Sequence, residues 1–227
     1  MIRLHFVVEG KTELRFVQNV LSPHLESLGI GAYPQIVLFG THGDETFRGG
    51  LKAYAKPRKH ILDWMKQDQS PDAFFTTLFD LYRLPADFPG YTQSRHIKEP
   101  YQKVELLEIA FAQDIQEQRF IPYIQLHEFE ALLFADVRHF DWEFLEHESQ
   151  IQELQKIIDK FENPELINEG ESTAPSKRII KLISEYESRK SSAGPAIAKA
   201  IGLERLREKC SHFNQWLTRL EQLSLLP

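Results

Sequence analysis

The stretch Phe6-Val7-Val8-Glu9-Gly10-Lys11-Thr12-Glu13 restricts the fold of this chain more than any other. Residues 2–8 form a short, largely apolar run with β-branched side chains, the composition of a buried strand. Gly10 breaks the run, and residues 12–28 then carry Phe16, Val20, Leu21, Leu25 and Leu28 at helical spacing. A strand, a glycine turn and a helix place Glu9 at the carboxyl edge of the strand, where open α/β sheets bind ligands. A carboxylate beside a helix N-terminus is stabilised when ionised, so Glu9 is expected to be charged and available as a ligand. The plainer alternative is that Glu9 and Glu13 only open the helix.

The rest of the composition sets the class. At 227 residues the chain falls between one and two domains, and 42% hydrophobic with 11% aromatic residues suffices for a packed core. No apolar run has the length of a membrane span, and the N-terminus enters a strand without a signal-peptide pattern. The single cysteine, Cys210, excludes an internal disulfide and a cysteine-rich zinc site, and it reads as a small buried hydrophobe. A cytoplasmic protein without membrane association is expected. The formal net charge of −6 means that any contact with nucleic acid must be local or assisted by a partner.

Further along, residues 30–39 hold a second candidate strand centred on Ile36-Val37-Leu38-Phe39, then a glycine-rich loop over 41–50 with Asp44, Glu45 and Arg48. A helical pattern over 51–65 carries Lys52, Lys56, Arg58 and Lys59, with Pro57 demanding a kink or a later start. This basic cluster suits either phosphate binding or a solvated helix face. Phe74-Phe75-Thr76-Thr77-Leu78-Phe79 is aromatic and β-branched throughout and runs directly into Asp80. Glu9 and Asp80, at two strand ends, can address one space, a geometry suited to a hard divalent cation, magnesium or manganese. Residues 85–100 form a loop rich in proline, glycine and aromatics, and such loops often complete a site. A helix follows over 101–116, then a strand over 120–126 in which Pro122 favours an edge or a strand start.

That strand ends in His127-Glu128-Phe129-Glu130 before the helical run 131–136. A helix starting there would put His127 and Glu130 on one face and aim Glu128 elsewhere. His127 is either a ligand or base or, the plainer alternative, a structural residue at a strand–helix junction. Beyond about Trp142 the pattern is helical, over 148–161, 177–189, 196–201 and 203–223, with a polar loop at 163–176 and a break at Ser191-Ser192-Ala193-Gly194-Pro195. Ser176 is placed to cap the helix after it. The stripe Phe213, Trp216, Leu217, Leu220 and Leu223 is expected to pack against the remainder.

Together, Val8-Glu9-Gly10-x-Thr12-Glu13, the strand ending at Asp80 and the alternating βα order resemble the Toprim fold of topoisomerases, primases and overcoming-lysogenization-defect (OLD) type nucleases. Over nearly the whole chain, a bacterial family catalogued as domain of unknown function 4276 is resembled more specifically. The residues that carry this are Thr76-Thr77-Leu78-Phe79-Asp80-Leu81-Tyr82-x-Leu84-Pro85, His127-Glu128-Phe129-Glu130-Ala131-Leu132-Leu133-Phe134, Ala174-Pro175-Ser176-Lys177-Arg178-Ile179 and Cys210-x-x-Phe213-x-x-Trp216-Leu217.

The resemblance implies a Toprim-like (Rossmann-like) α/β domain over residues 1–140, with a mostly parallel sheet flanked by helices. An all-helical region over 141–227 would pack on it. It further implies metal-dependent phosphodiester hydrolysis, a nuclease, with Mg2+ or Mn2+ as cofactor. Glu9 would be a ligand or general acid–base, Glu13 a supporting acid and Asp80 the principal ligand. The family's Asp-x-Asp is here Asp80-Leu81-Tyr82, so Glu128 or Glu130 would supply the second acid, as a Glu-x-Glu segment does in OLD-type relatives. Lys56, Arg58, Lys59 and Arg83 would offset charge on the phosphate, and Lys11, Lys177 and Arg178 would join them in binding nucleic acid. Relatives of this kind often serve bacterial phage defence beside an ABC-like ATPase; this chain lacks a P-loop, so that ATPase would be a separate subunit. Two other readings stay open: an inactive Toprim-fold regulatory module, and a hydrolase of small phosphate esters. The oligomeric state is not fixed by the sequence.

Overall fold

The computed structural model describes residues 1–37, 53–167, 170 and 173–225. The strand β1 (Ile2–Val8) is central to a parallel sheet, paired with β2 (Ile30–Ile36) on one side and β3 (Ala73–Asp80) on the other. Beyond β3 lie two short segments, β4 (Phe120–Ile121) and β5 (Ile124–Gln125), each also parallel to it. The strand order is β2-β1-β3-β4, with β5 pairing β3 farther along. The strand expected over 120–126 is therefore interrupted at Pro122, which has no N–H for the ladder. Thr77 fills the gap: its hydroxyl donates to the Tyr123 carbonyl and accepts from the Tyr123 N–H, both at 2.9 Å.

This order creates a switch point. The chain leaves β1 for β2 on one side, then crosses back to enter β3 on the other side. The crevice between the carboxyl ends of β1 and β3 is where such sheets hold ligands. Side chains alternate between the two faces, as the pleat requires. Leu4, Phe6, Val8 and Leu78 enter one core; Val7, Phe75 and Phe79 enter the other.

On the first face, the helix expected over 12–28 is built in three parts: α1 (Lys11–Phe16), a π-helical stretch (Val17–Leu21) and α2 (Ser22–Ser27). The widened turn holds Asn19, the residue whose carbonyl Pro23 would crowd and could not bond. On the second face, α3 (Ala55–Gln67) begins late, with Pro57 in its first turn, where a missing N–H costs nothing. Next come the one-turn α4 (Tyr91–Ser94) and α5 (Pro100–Ile115), whose first N–H groups at Tyr101 and Gln102 are accepted by the Glu99 carboxylate. Leu38, Phe39, Lys52 and the loop at 41–50 with Asp44, Glu45 and Arg48 lie outside the described residues.

The C-terminal region is helical, with different boundaries from those expected. Residues 129–135 form 3-10 turns rather than an α-helix, and so do residues 137–142. Then follow α6 (Glu148–Ile158), α7 (Pro175–Leu182), α8 (Tyr186–Ile201), α9 (Leu203–Lys209) and α10 (Ser211–Glu221). The expected helix 177–189 is two helices, and the expected break at 191–195 lies inside α8. Pro195 cannot donate to the Ser191 carbonyl; Arg15 of α1 donates to it instead, at 2.8 Å. The helix expected over 203–223 is divided at Cys210, which is extended and buried. Among the described residues no helix is long and apolar enough to cross a membrane.

The first core runs without interruption from β1 into this region, through Phe16, Phe129, Ile197 and the stripe of α10. Trp216 stacks on Tyr123 with ring centroids 4.1 Å apart and donates its Nε1–H to Thr76 Oγ1 at 2.9 Å. The N-terminus of α10 is held by a distant side chain: Glu165 accepts from the N–H groups of His212 and Phe213, each at 2.9 Å. Where α8 crosses α1, a Cβ on Gly194 would sit 3.0 Å from the Tyr186 hydroxyl and 3.2 Å from Phe129. Replacing Gly194 by valine should destabilise the fold by about 1–3 kcal/mol through overpacking. The midpoint of urea unfolding measures this, and an unchanged midpoint would mean that the crossing is not tight.

Candidate functional site

The site grows from one carboxylate after β1. Glu9 accepts the backbone N–H of Asp80 through Oε1 at 3.1 Å, tying the ends of β1 and β3 together. Asp80 in turn accepts the N–H of Phe129 through Oδ1 at 2.8 Å. Glu128 accepts the N–H of Ser176 through Oε2 at 2.9 Å, bringing in the start of α7. Ser176 is thus one residue inside its helix, behind Ala174 and Pro175, and serves Glu128 rather than capping. Glu130 completes the group, with its Oε1 3.3 Å from both the Tyr186 hydroxyl and Lys190 Nζ of α8.

Glu13 is the third residue of α1, counted from its N-cap Gly10, and its carboxylate is bonded by the backbone at Gly10. This is the returning half of a capping box, so opening the helix is one thing Glu13 does. The backbone at Gly10 is ordinarily extended, and a Cβ there would sit 3.2 Å from Glu13 Oε2, so the carboxylate would have to give by a few tenths of an ångström.

Glu128 does not point elsewhere, as a helical start at 127 would have required. The backbone at His127 is left-handed (φ 61°) and at Glu128 extended, so the charges of both Glu128 and Glu130 act on Asp80. Five carboxylates from β1, α1, β3 and residues 128–130 therefore share the switch point. Glu13, Glu128 and Glu130 are buried, while Glu9 and Asp80 keep some contact with solvent.

The consequence is a strong affinity for protons. Burial, then the charge of Glu13, pushes Glu9 up to about 8, against the opposing pull of the Asp80 N–H and Arg83. The helix terminus favours a charged Glu9, whereas desolvation and the neighbouring Glu13 favour its protonated form. Burial and the charge of Glu130 push Glu13 up to about 7, despite its backbone hydrogen bonds. Burial, followed by the other four carboxylates, holds Asp80 well above the usual range. Glu128 is raised by burial and Glu130, and partly relieved by Ser176 and Lys190.

The basic residues divide. Arg83, exposed, acts on Glu9 and Glu13, and Lys190 acts on Glu128 and Glu130. Arg58 is bound instead to Asp114 of α5, Nε to Oδ2 at 2.7 Å, and Lys59 pairs with Asp63 one turn on. These two are structural ion pairs on the second face of the sheet. Lys56 is exposed on the same helix; Lys11 and Lys177 are exposed at the starts of α1 and α7. Arg178 bonds the Thr173 carbonyl at 2.6 Å and lies over the Phe161 ring. Tyr82, at the position of the second acid, carries its hydroxyl to the Gly170 N–H at 2.9 Å and its ring against His127. His127 is pushed down to about 4 by burial and Lys103, and so is neutral.

The sequence reading missed Tyr186, Lys190 and Gly194, which stand four residues apart on the face of α8 that meets the site. That spacing was visible, but the glycine–proline pair at 194–195 concealed the helix that carries it.

An all-oxygen, acid-rich donor set is the chemistry a hard divalent cation takes. Among the described residues, however, no three His, Cys, Asp or Glu side chains are gathered closely enough to hold an ion as they stand. Glu9, Asp80 and Glu128 each give one oxygen to a backbone amide, so the second oxygens would have to turn inward together.

A family model described as Domain of unknown function (DUF4276) matches residues 8–221, from the end of β1 through α10. No curated protein and no solved structure matches the chain.

Protons held by the folded cluster and not by the unfolded chain make stability fall as pH rises between the ordinary carboxylate range and about 8. The slope is about 1.4 kcal/mol per pH unit for each proton released. Urea midpoints should decline from pH 5 to pH 8, and Asp80→Asn should flatten the decline. A wild-type midpoint that rises over that interval would refute the clustering.

Proposed function

The chain belongs to the DUF4276 family, whose description names no activity, and from its site we propose that it is a metal-dependent phosphodiesterase of the Toprim type acting on nucleic acid. One observation carries this: five carboxylates converge on the switch point of a parallel sheet, with Arg83 and Lys190 as the cations acting on them. So much unbalanced negative charge is stable at neutral pH only with bound protons or a bound cation.

Asp80 and Glu9 would hold Mg2+ or Mn2+, with Glu128 or Glu130 in place of the acid that Tyr82 replaces. Such an ion polarises a phosphoryl oxygen and lowers the pKa of bound water. The chain's own groups do the rest. The carboxylate oxygen of Glu9 not engaged by the Asp80 N–H would either ligate the ion or, where Asp80 and another acid hold it, serve as general acid–base, a role its raised pKa suits. Arg83, exposed at the mouth, offsets charge on the phosphate. Lys190 pairs with Glu130, Nζ to Oε1 at 3.3 Å, and so supplies a positive charge beside the second acid. The resemblance implies an ABC-like ATPase as in phage-defence assemblies, which here would be a separate subunit, and a net charge of −6 agrees with a partner that holds the nucleic acid.

A second reading, a binding or regulatory module without catalysis, is favoured by Tyr82, whose hydroxyl is engaged with Gly170 where a metal-binding acid would stand. Titration calorimetry with MnCl2 separates the two. Wild type should bind Mn2+ and Asp80→Asn should not. Cleavage of DNA or RNA in Mn2+ should fall about a hundredfold or more in Glu9→Gln and Asp80→Asn. Cleavage that persists in both variants would remove the catalytic assignment, and Mn2+ binding without cleavage of polymer or small phosphoesters would leave the regulatory reading.

A further inference from the structure

A concavity that none of the five carboxylates lines opens beside the end of β3. It measures about 530 Å³ and is lined by Tyr82, Tyr91, Ser94, Arg95, Lys103 and His127, among others. Two of its walls continue directly into the site: Leu81 and Tyr82 follow Asp80, and His127 precedes Glu128. Its chemistry is opposite to that of the site. Where the switch point gathers acids, this cleft presents two cations and two phenol rings.

His127 shows that the cleft is equipped for a polar ligand. The residue is 2% exposed, it lines the cleft, and its Nε2 has no hydrogen-bond partner. A buried polar atom without a partner costs free energy, and a site that accepts a donor from a ligand is one common reason for it. Burial and the charge of Lys103 keep the ring neutral, so one of its two nitrogens is an acceptor. Next to it, the Tyr82 ring is 37% exposed, with its centroid 5.6 Å from that of His127. Arg95 is exposed on the loop after α4, and Lys103 is half-buried on α5 close enough for its charge to act on His127.

An anion-binding pair, aromatic faces and a single buried acceptor match three parts of one ligand class. A phosphate meets Arg95 and Lys103, a flat ring lies against Tyr82 or Tyr91, and an N–H or O–H reaches His127 Nε2. The volume falls in the range of small-ligand sites and admits one such unit. We propose that this cleft is a nucleotide subsite, holding the base and phosphate of the residue next to the bond addressed by the carboxylates. Its place beside a scissile bond rests on the phosphodiesterase reading; nucleotide binding does not.

The test is calorimetry with adenosine 5′-monophosphate, in the absence of divalent metal, with inorganic phosphate and adenosine as controls. The nucleotide should bind more tightly than either control. Arg95→Ala and Lys103→Ala should each weaken it about tenfold, and Tyr82→Ala should weaken it about fivefold or more. Asp80→Asn should bind it undiminished, because the acids are not part of the cleft. All of these substitutions fall on side chains with solvent contact, and thermal melts confirm that the variants are folded. The proposal is overturned if the nucleotide does not bind, or if inorganic phosphate binds as well and Tyr82→Ala has no effect. Polymer cleavage that is unaltered in all three cleft variants also overturns it while leaving the hydrolase. Nucleotide binding with the expected losses, in a protein that cleaves nothing, upholds the subsite and removes the hydrolase.

Discussion

A buried carboxylate needs a proton or a positive partner, and this fold sets five of them around one crevice. The sheet cannot avoid the problem once Glu9 and Asp80 follow neighbouring strands in register. What makes the cluster tolerable is the backbone. Asp80 N–H serves Glu9, Phe129 N–H serves Asp80, Ser176 N–H serves Glu128, and Gly10 serves Glu13. Four of the five acids are thus held by peptide units of different segments, and the fifth, Glu130, by the side chains of Tyr186 and Lys190. The ends of β1 and β3, the turn after β5 and the start of α7 are joined through charge–amide bonds rather than through apolar contact alone. The same bonds determine how the acids can function, since they occupy one oxygen of several side chains and leave the others to exchange protons or meet a cation.

The C-terminal helices take part in this arrangement. α8 brings Tyr186 and Lys190 to Glu130, and α7 brings Ser176 to Glu128. α10 supports the sheet from beneath, with Trp216 placed between Tyr123 and Thr76. The uninterrupted core from Leu4 to Leu223 means that the helical region is part of the walls of the site.

How much of this was legible depended on whether the signal was local. β1 and β3 were readable as continuous apolar, aromatic or β-branched runs, and the helix after Gly10 from its helical spacing, although the π-helical stretch inside it was not. Glu9 and Asp80 were readable as strand-end acids for the same reason. Residues 127–130 were misjudged in orientation, because a histidine with left-handed backbone leaves no mark in a hydrophobic pattern. Helix boundaries failed at Pro195 and Cys210 for opposite reasons. Arg15, 176 residues away from Ser191, satisfies the carbonyl that Pro195 abandons. At Cys210 an apolar stripe persists through a backbone that is not helical. The basic run at Lys56, Arg58 and Lys59 suited a phosphate site or a solvated helix face equally; the i,i+4 spacing of Lys59 and Asp63 was legible, but the pairing of Arg58 with the distant Asp114 was not.

The contact between Arg15 and the Ser191 carbonyl reaches beyond the helix it repairs. Position 195 has exchanged an internal donor for a lateral one, so proline there and arginine at position 15 are coupled through one carbonyl. A residue with an N–H at 195 would share that carbonyl with the guanidinium, and a short side chain at 15 would leave it to water beside Pro195. Among descendants of this sequence the two positions should therefore change together or not at all. Such a pairing would be a record, in substitution patterns, of how the first helix and the eighth are registered against each other.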